Sequence, residues 1–95
     1  MSAEAIRELH RDQLKAFANR IDTVDPEDED TFTAVLVYAY KYTDLTLDEI
    51  AKGVRYSRTQ VNRWVLGSNH PHISNRKTIV AWIQKRCREI AYKDS

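Results

Sequence analysis

Arg58, Asn62 and Arg63, with Ser57 and Thr59 beside them, are the side chains of this sequence best equipped for specific hydrogen bonding. At helical spacing these positions share one outward face, while Val61, Trp64 and Val65 point the other way. A guanidinium reaches guanine O6 and N7 together, a carboxamide matches adenine N6 and N7, and a threonine methyl fits the thymine methyl. Arg58, Asn62 and Arg63 are therefore the leading candidates for reading base edges. Gln60 has the chemistry of Asn62, but its place three residues after Ser57 assigns it to a helix cap.

Catalysis finds no foothold. The chain has two glycines and no glycine-rich phosphate loop, and no Ser-His-acid or Cys-His set that the pattern brings together. His70 and His72 with the distant Cys87 do not have zinc-ligand spacing, and His10 is expected to be solvated. The expectation is a non-enzyme with no metal, no cofactor and no small-molecule ligand.

Two helix starts lie eleven residues apart. Thr46-Leu47-Asp48-Glu49 and Ser57-Arg58-Thr59-Gln60 both read as capping boxes, which leaves room for about two turns of helix between them. Ile50, Ala51 and Val54 face the core from the first helix, and Val61, Trp64 and Val65 from the second. Gly67 closes the second as a left-handed C-cap. Two capped helices joined by a tight turn, the second presenting a polar outer face, have the layout of a helix-turn-helix.

Three longer helices complete an all-α, five-helix reading. Ser2 can cap a first helix running to about Arg20, with Ile6, Leu9, Gln13 or Leu14, and Phe17 as its stripe. Asp25-Pro26 reads as a cap followed by proline at the first helical position, with the acids Glu27 to Asp30 at the positive end of the dipole. That second helix extends to about Tyr42 with Phe32, Val35, Leu36, Ala39 and Tyr40 inward, and Tyr38, Tyr40 and Tyr42 cannot all be buried. Ser74 or Asn75 can cap the last helix, whose stripe is Ile79, Trp82, Ile83, Cys87 and Ile90. It ends near Tyr92, and Lys93 to Ser95 should fray. With 95 residues and no long linker, one domain is expected: an extra N-terminal helix over 3–20 and a core over 26–92.

The net charge of +1 conceals a polarised chain. Residues 1–50 carry five basic and twelve acidic side chains, whereas residues 51–95 carry ten basic and two acidic. From Ala51 to Arg88 there is no acid, so the reading helix sits in a stretch that offers a positive field to phosphate, unless the acidic half neutralises it internally. A single cysteine precludes an intrachain disulfide, and no run of about eighteen apolar residues or signal segment is present. The expected location is cytoplasmic, away from membranes.

From Phe32 to Ile90 the sequence resembles the helix-turn-helix domain of the phage repressor and Cro family. The resemblance is carried by Ile50-Ala51, Val54, Ser57, Val61 and Trp64, then Gly67 with Pro71 four residues later, then the apolar helix of Ile79 and Ile83. It implies that Ala51 lets two helices cross closely. Where the family has a turn glycine, this sequence has Arg55, with Gly53 two residues earlier. It further implies a prokaryotic or phage-encoded, nucleoid-associated repressor that binds double-stranded DNA as a homodimer on a palindromic operator. On that docking geometry, backbone phosphates would be met by the helix start at Thr46, by Arg55 and Tyr56 in the turn, and by Asn69, His70, His72, Arg76 and Lys77. The dimer seam would be the last helix, through Trp82 or Tyr92, or the N-terminal helix, which can instead brace the domain. Two alternatives stand beside this one: an antitoxin-like or adaptor module that binds protein, and a DNA-binding accessory of a recombinase or transposase.

Overall fold

The computed structural model describes residues 3–43 and 45–92. Five helices follow one another: α1 (Ala3–Ile21), α2 (Glu29–Tyr42), α3 (Leu47–Val54), α4 (Arg58–Val65) and α5 (Ile73–Tyr92), with no strand among the described residues. No helix among them is long and apolar enough to cross a membrane. Ser2 and the segment from Lys93 to Ser95, assigned a cap and fraying from sequence, lie outside the described residues.

Two helix starts differ from the sequence expectation. Asp25 does not begin α2; its Oδ1 accepts from the Glu27 amide at 3.0 Å and its carbonyl from the Asp28 amide, closing a turn. The N-cap is Asp28, which also accepts from the Thr31 hydroxyl, so Glu29 and Asp30 are the acids at the helix's positive end. Likewise, neither Ser74 nor Asn75 caps α5. His72 does: its Nδ1 accepts from the Ser74 amide at 3.2 Å, and its carbonyl takes the amides of Asn75 and Arg76.

The core draws on all five helices. Leu14, Ala18 and Ile21 of α1, Phe32, Val35, Leu36 and Ala39 of α2, Ile50 and Ala51 of α3, Val61 and Trp64 of α4, and Ile79, Val80, Ile83, Cys87 and Ala91 of α5 are buried together. Packing this apolar surface away from water, at about 25 cal/mol per Å², holds α3 and α4 in place. Eight residues each, they are too short to be stable alone. Trp82 and Ile90 are only partly buried, and Val80 joins the stripe in their stead. Tyr38, Tyr40 and Tyr42 are all exposed, so Tyr40 is not a core residue. His10 is half-buried rather than solvated.

α1 runs antiparallel to α5. Lys15 sits over the Tyr92 ring at 4.6 Å, Gln84 donates to the Ala18 carbonyl at 2.8 Å and to Asp22 at 2.6 Å, and Arg88 reaches Asn19 and Asp22. These contacts lie along the C-terminal half of α1 and the turn after it. Ile6 and Leu9, expected on the inner stripe, are 55% and 52% exposed.

Candidate nucleic-acid interface

α4 is fixed at both ends and along its inner face. At its start Ser57 and Gln60 form a complete capping box: Ser57 Oγ accepts from the Gln60 amide, and Gln60 Oε1 accepts from the Ser57 amide, each at 3.1 Å. At its end Gly67, with φ of 75°, allows the Ser68 amide to reach the Arg63 carbonyl and its own amide to reach Trp64, a Schellman closure. Underneath, Val61 is fully buried and Trp64 packs edge-on against Phe32 and Tyr56, at 6.3 and 4.7 Å between ring centroids. Trp64 is thus a core anchor.

The opposite face of α4 is open. Arg58, Thr59, Asn62 and Arg63 are all exposed, as expected from their spacing. Arg58 makes an ion pair with Asp48 at 3.6 Å, both side chains about two-thirds exposed, a contact weak enough to exchange for another acceptor. Arg63 has no ion pair among the described residues. The Ser57 hydroxyl is committed differently from expectation, because its proton is directed at Gln60 Oε1. Ser57 is chiefly the residue that holds the helix start.

The α3–α4 turn contains Arg55 at φ 64° and ψ 43°, the only non-glycine with positive φ among the described residues. That left-handed conformation, which costs a residue with a Cβ roughly 1–2 kcal/mol, lets the amides of Arg55 and Tyr56 both close on the Ala51 carbonyl. The side chain of Arg55 is exposed, and Tyr56 is half-buried against Trp64.

The remaining phosphate candidates divide. Asn69, His72 and Lys77 are exposed. His72 uses Nδ1 in capping α5, which leaves its Nε2 edge outward. Arg76 is a correction: it is 5% exposed, its Nε donates to the Pro71 carbonyl and its Nη1 to the Glu27 carbonyl, both at 2.9 Å, and its Nη2 lies 3.7 Å from Glu29. Buried and donating to two backbone carbonyls, it ties the start of α5 to the entry of α2 and is not the open cation expected of a phosphate ligand. His70 is also drawn inward, with Nε2 3.1 Å from the Thr33 hydroxyl and Nδ1 3.7 Å from Glu29. At Thr46 the side chain caps α3 through the Glu49 amide, and Asp48 and Glu49 occupy the helix's positive end. Those carboxylates would repel a phosphate there.

Charge separation along the chain is therefore partly cancelled in space: Glu29 meets Arg76 and Asp22 meets Arg88. Lys52 of α3, Arg55 of the turn, Arg63 of α4 and Lys77 of α5 make no ion pair among the described residues. No group of three or more His, Cys, Asp or Glu that could hold a metal exists among the described residues. Burial pushes the Cys87 thiol up to about 11, against a smaller lowering by Arg86, so it is poorly suited to act as a thiolate at neutral pH. Comparison of the chain with protein-family models, with curated proteins and with solved structures finds no significant match.

Proposed function

We propose that this protein is a sequence-specific binder of double-stranded DNA, of the repressor and Cro kind, in which α4 enters the major groove and α3 supports it from behind. The observation that carries the reading is the row of exposed Arg58, Thr59, Asn62 and Arg63 on a helix whose two ends and inner face are immobilised. Such a face presents these groups from a fixed backbone, so the ordering cost of binding falls on the side chains and little on the main chain. Arg55, Asn69, Lys77 and the Nε2 edge of His72 flank it as phosphate contacts. Acting as a dimer on a palindromic operator, the protein would block transcription by occupying the site.

Selection of bound duplexes from a random pool tests this directly. Wild type should enrich a palindromic sequence, and Arg58→Ala and Arg63→Ala should each relax preference at a different base pair, by about tenfold or more. Affinity should also fall steeply with salt. No duplex affinity at low salt would move the chain to the class of protein-binding adaptors, and unchanged preferences in both variants would reject α4 as the reader.

Arg55 separates folding from binding. Arg55→Gly relieves the left-handed strain at the cost of a freer unfolded chain, so stability in urea should rise by a few tenths to about 1 kcal/mol. Duplex affinity should nevertheless drop, with the slope of log K against log salt shallower by about 0.9 for the lost phosphate contact. A variant that gains stability with an unaltered salt slope places Arg55 away from the phosphates.

A further inference from the structure

α1 has a buried apolar face and a second, mixed face whose N-terminal end is apolar and exposed. Leu14, Ala18 and Ile21 are buried in the core, while Ile6, Leu9, Gln13, Ala16 and Arg20 recur at alternating steps of three and four on the other side. The C-terminal part of this second face, with Phe17, Ile21 and Val24, forms one wall of an open groove of about 420 Å³ whose opposite wall is Thr31, Ala34, Val35 and Tyr38 of α2. Phe17 and Tyr38 stack at 4.4 Å between ring centroids within it. The N-terminal part, Ile6 and Leu9, is bare.

We propose that α1 is the seam between two copies of this chain, paired antiparallel so that the bare end of each α1 fills the α1–α2 groove of the other. The molecule carries both halves of this fit: an open, largely apolar groove and, further along the same stripe, the exposed apolar pair Ile6 and Leu9. An isologous two-fold interface needs such self-complementarity. A parallel pairing would set bare end against bare end and leave both grooves open. The antiparallel register implied by the spacing sets Ile6 of each copy opposite Ala16 of the other and Leu9 opposite Gln13. A nineteen-residue α1 is about 28 Å long and a helix about 10 Å across, so the contact along it and the α2 wall is a small interface, short of the roughly 800 Å² per partner of a standard one. This names the surface for the dimer invoked above, but the association itself requires no DNA.

Sedimentation equilibrium without DNA, with circular dichroism to confirm folding, provides the test. Wild type should dimerise at tens of micromolar, about the range expected of a small interface. Ile6→Glu and Ala16→Lys change exposed positions and should each weaken the dimer by about 100-fold, because an unpaired charge is then buried. An equimolar mixture of the two variants should recover dimer, since Glu at 6 then meets Lys at 16 of the other copy. A monomeric wild type, a dimer indifferent to both substitutions, or a mixture that stays monomeric overturns the proposal. Each of these results leaves duplex binding by α4 to be judged by its own experiment.

Discussion

Arg76→Met should cost about 3 kcal/mol of folding stability, lowering the melting temperature by roughly 12–24 °C in a domain of this size. The estimate follows from what the guanidinium does. It is 5% exposed and donates to two backbone carbonyls, those of Pro71 and Glu27, at 2.9 Å each. Methionine fills similar volume but donates nothing, so the buried Pro71 carbonyl loses its partner at about 1–3 kcal/mol, and the part-buried Glu27 carbonyl at the lower end of that range. The ion pair with Glu29 adds little, because that carboxylate is 61% exposed. Glu29→Gln is therefore expected to change stability by under about 1 kcal/mol. Urea denaturation of the two variants makes the comparison. If Arg76→Met leaves stability unchanged yet flattens the salt dependence of duplex binding, Arg76 is a phosphate contact after all and the tie to α2 is incidental.

Arg76 also marks where sequence reasoning ran out. The caps of α3 and α4, the Gly67 closure and the outward row on α4 were legible, because each depends on residues three or four apart obeying local rules. A cation in a basic segment after a loop reads as a phosphate ligand, and nothing in its neighbourhood indicates that its acceptors are a carbonyl 49 residues away and another in the preceding loop. The contact of His70 is hidden for the same reason, its partner Thr33 being 37 residues distant. The start of α2 is ambiguous more locally: Asp25-Pro26 matches a cap followed by proline, but it equally suits a turn, and Asp28 takes the N-cap position with its carbonyl, without a side-chain cap. In α1 the periodicity of Ile6 and Leu9 was real. Periodicity reports that a helix has an apolar face and is silent on whether the same chain supplies the element to cover it.

The second large effect is expected at Gly53, where Gly→Ala should destabilise the fold by about 2 kcal/mol instead of yielding the roughly 1 kcal/mol gain usual within a helix. Gly53 lies on α3 directly beneath the indole of Trp82 on α5: a Cβ there would come within 2.0 Å of the ring. The resemblance assigned close helix approach to Ala51, which is indeed buried, but the contact that admits no added methyl is at Gly53. Either the half-buried indole swings outward and loses its cover over α3, or α3 moves away from α5. A double-mutant cycle with Trp82→Leu distinguishes the cause. Adding Ala at 53 to Trp82→Leu should cost nothing or stabilise slightly, so the coupling between the positions should exceed about 1 kcal/mol. Additive losses would show that the glycine serves some purpose other than making room for the ring. The consequence reaches the interface, because α3 is the element against which α4 is held through Ala51, Arg55 and Tyr56. Displacing α3 from α5 by an ångström tilts the row of Arg58, Asn62 and Arg63 relative to whatever it faces. On the DNA-binding reading, Gly53→Ala should thus weaken the preferred duplex more than random duplex, whereas a purely global loss of folded protein would lower both by the same factor.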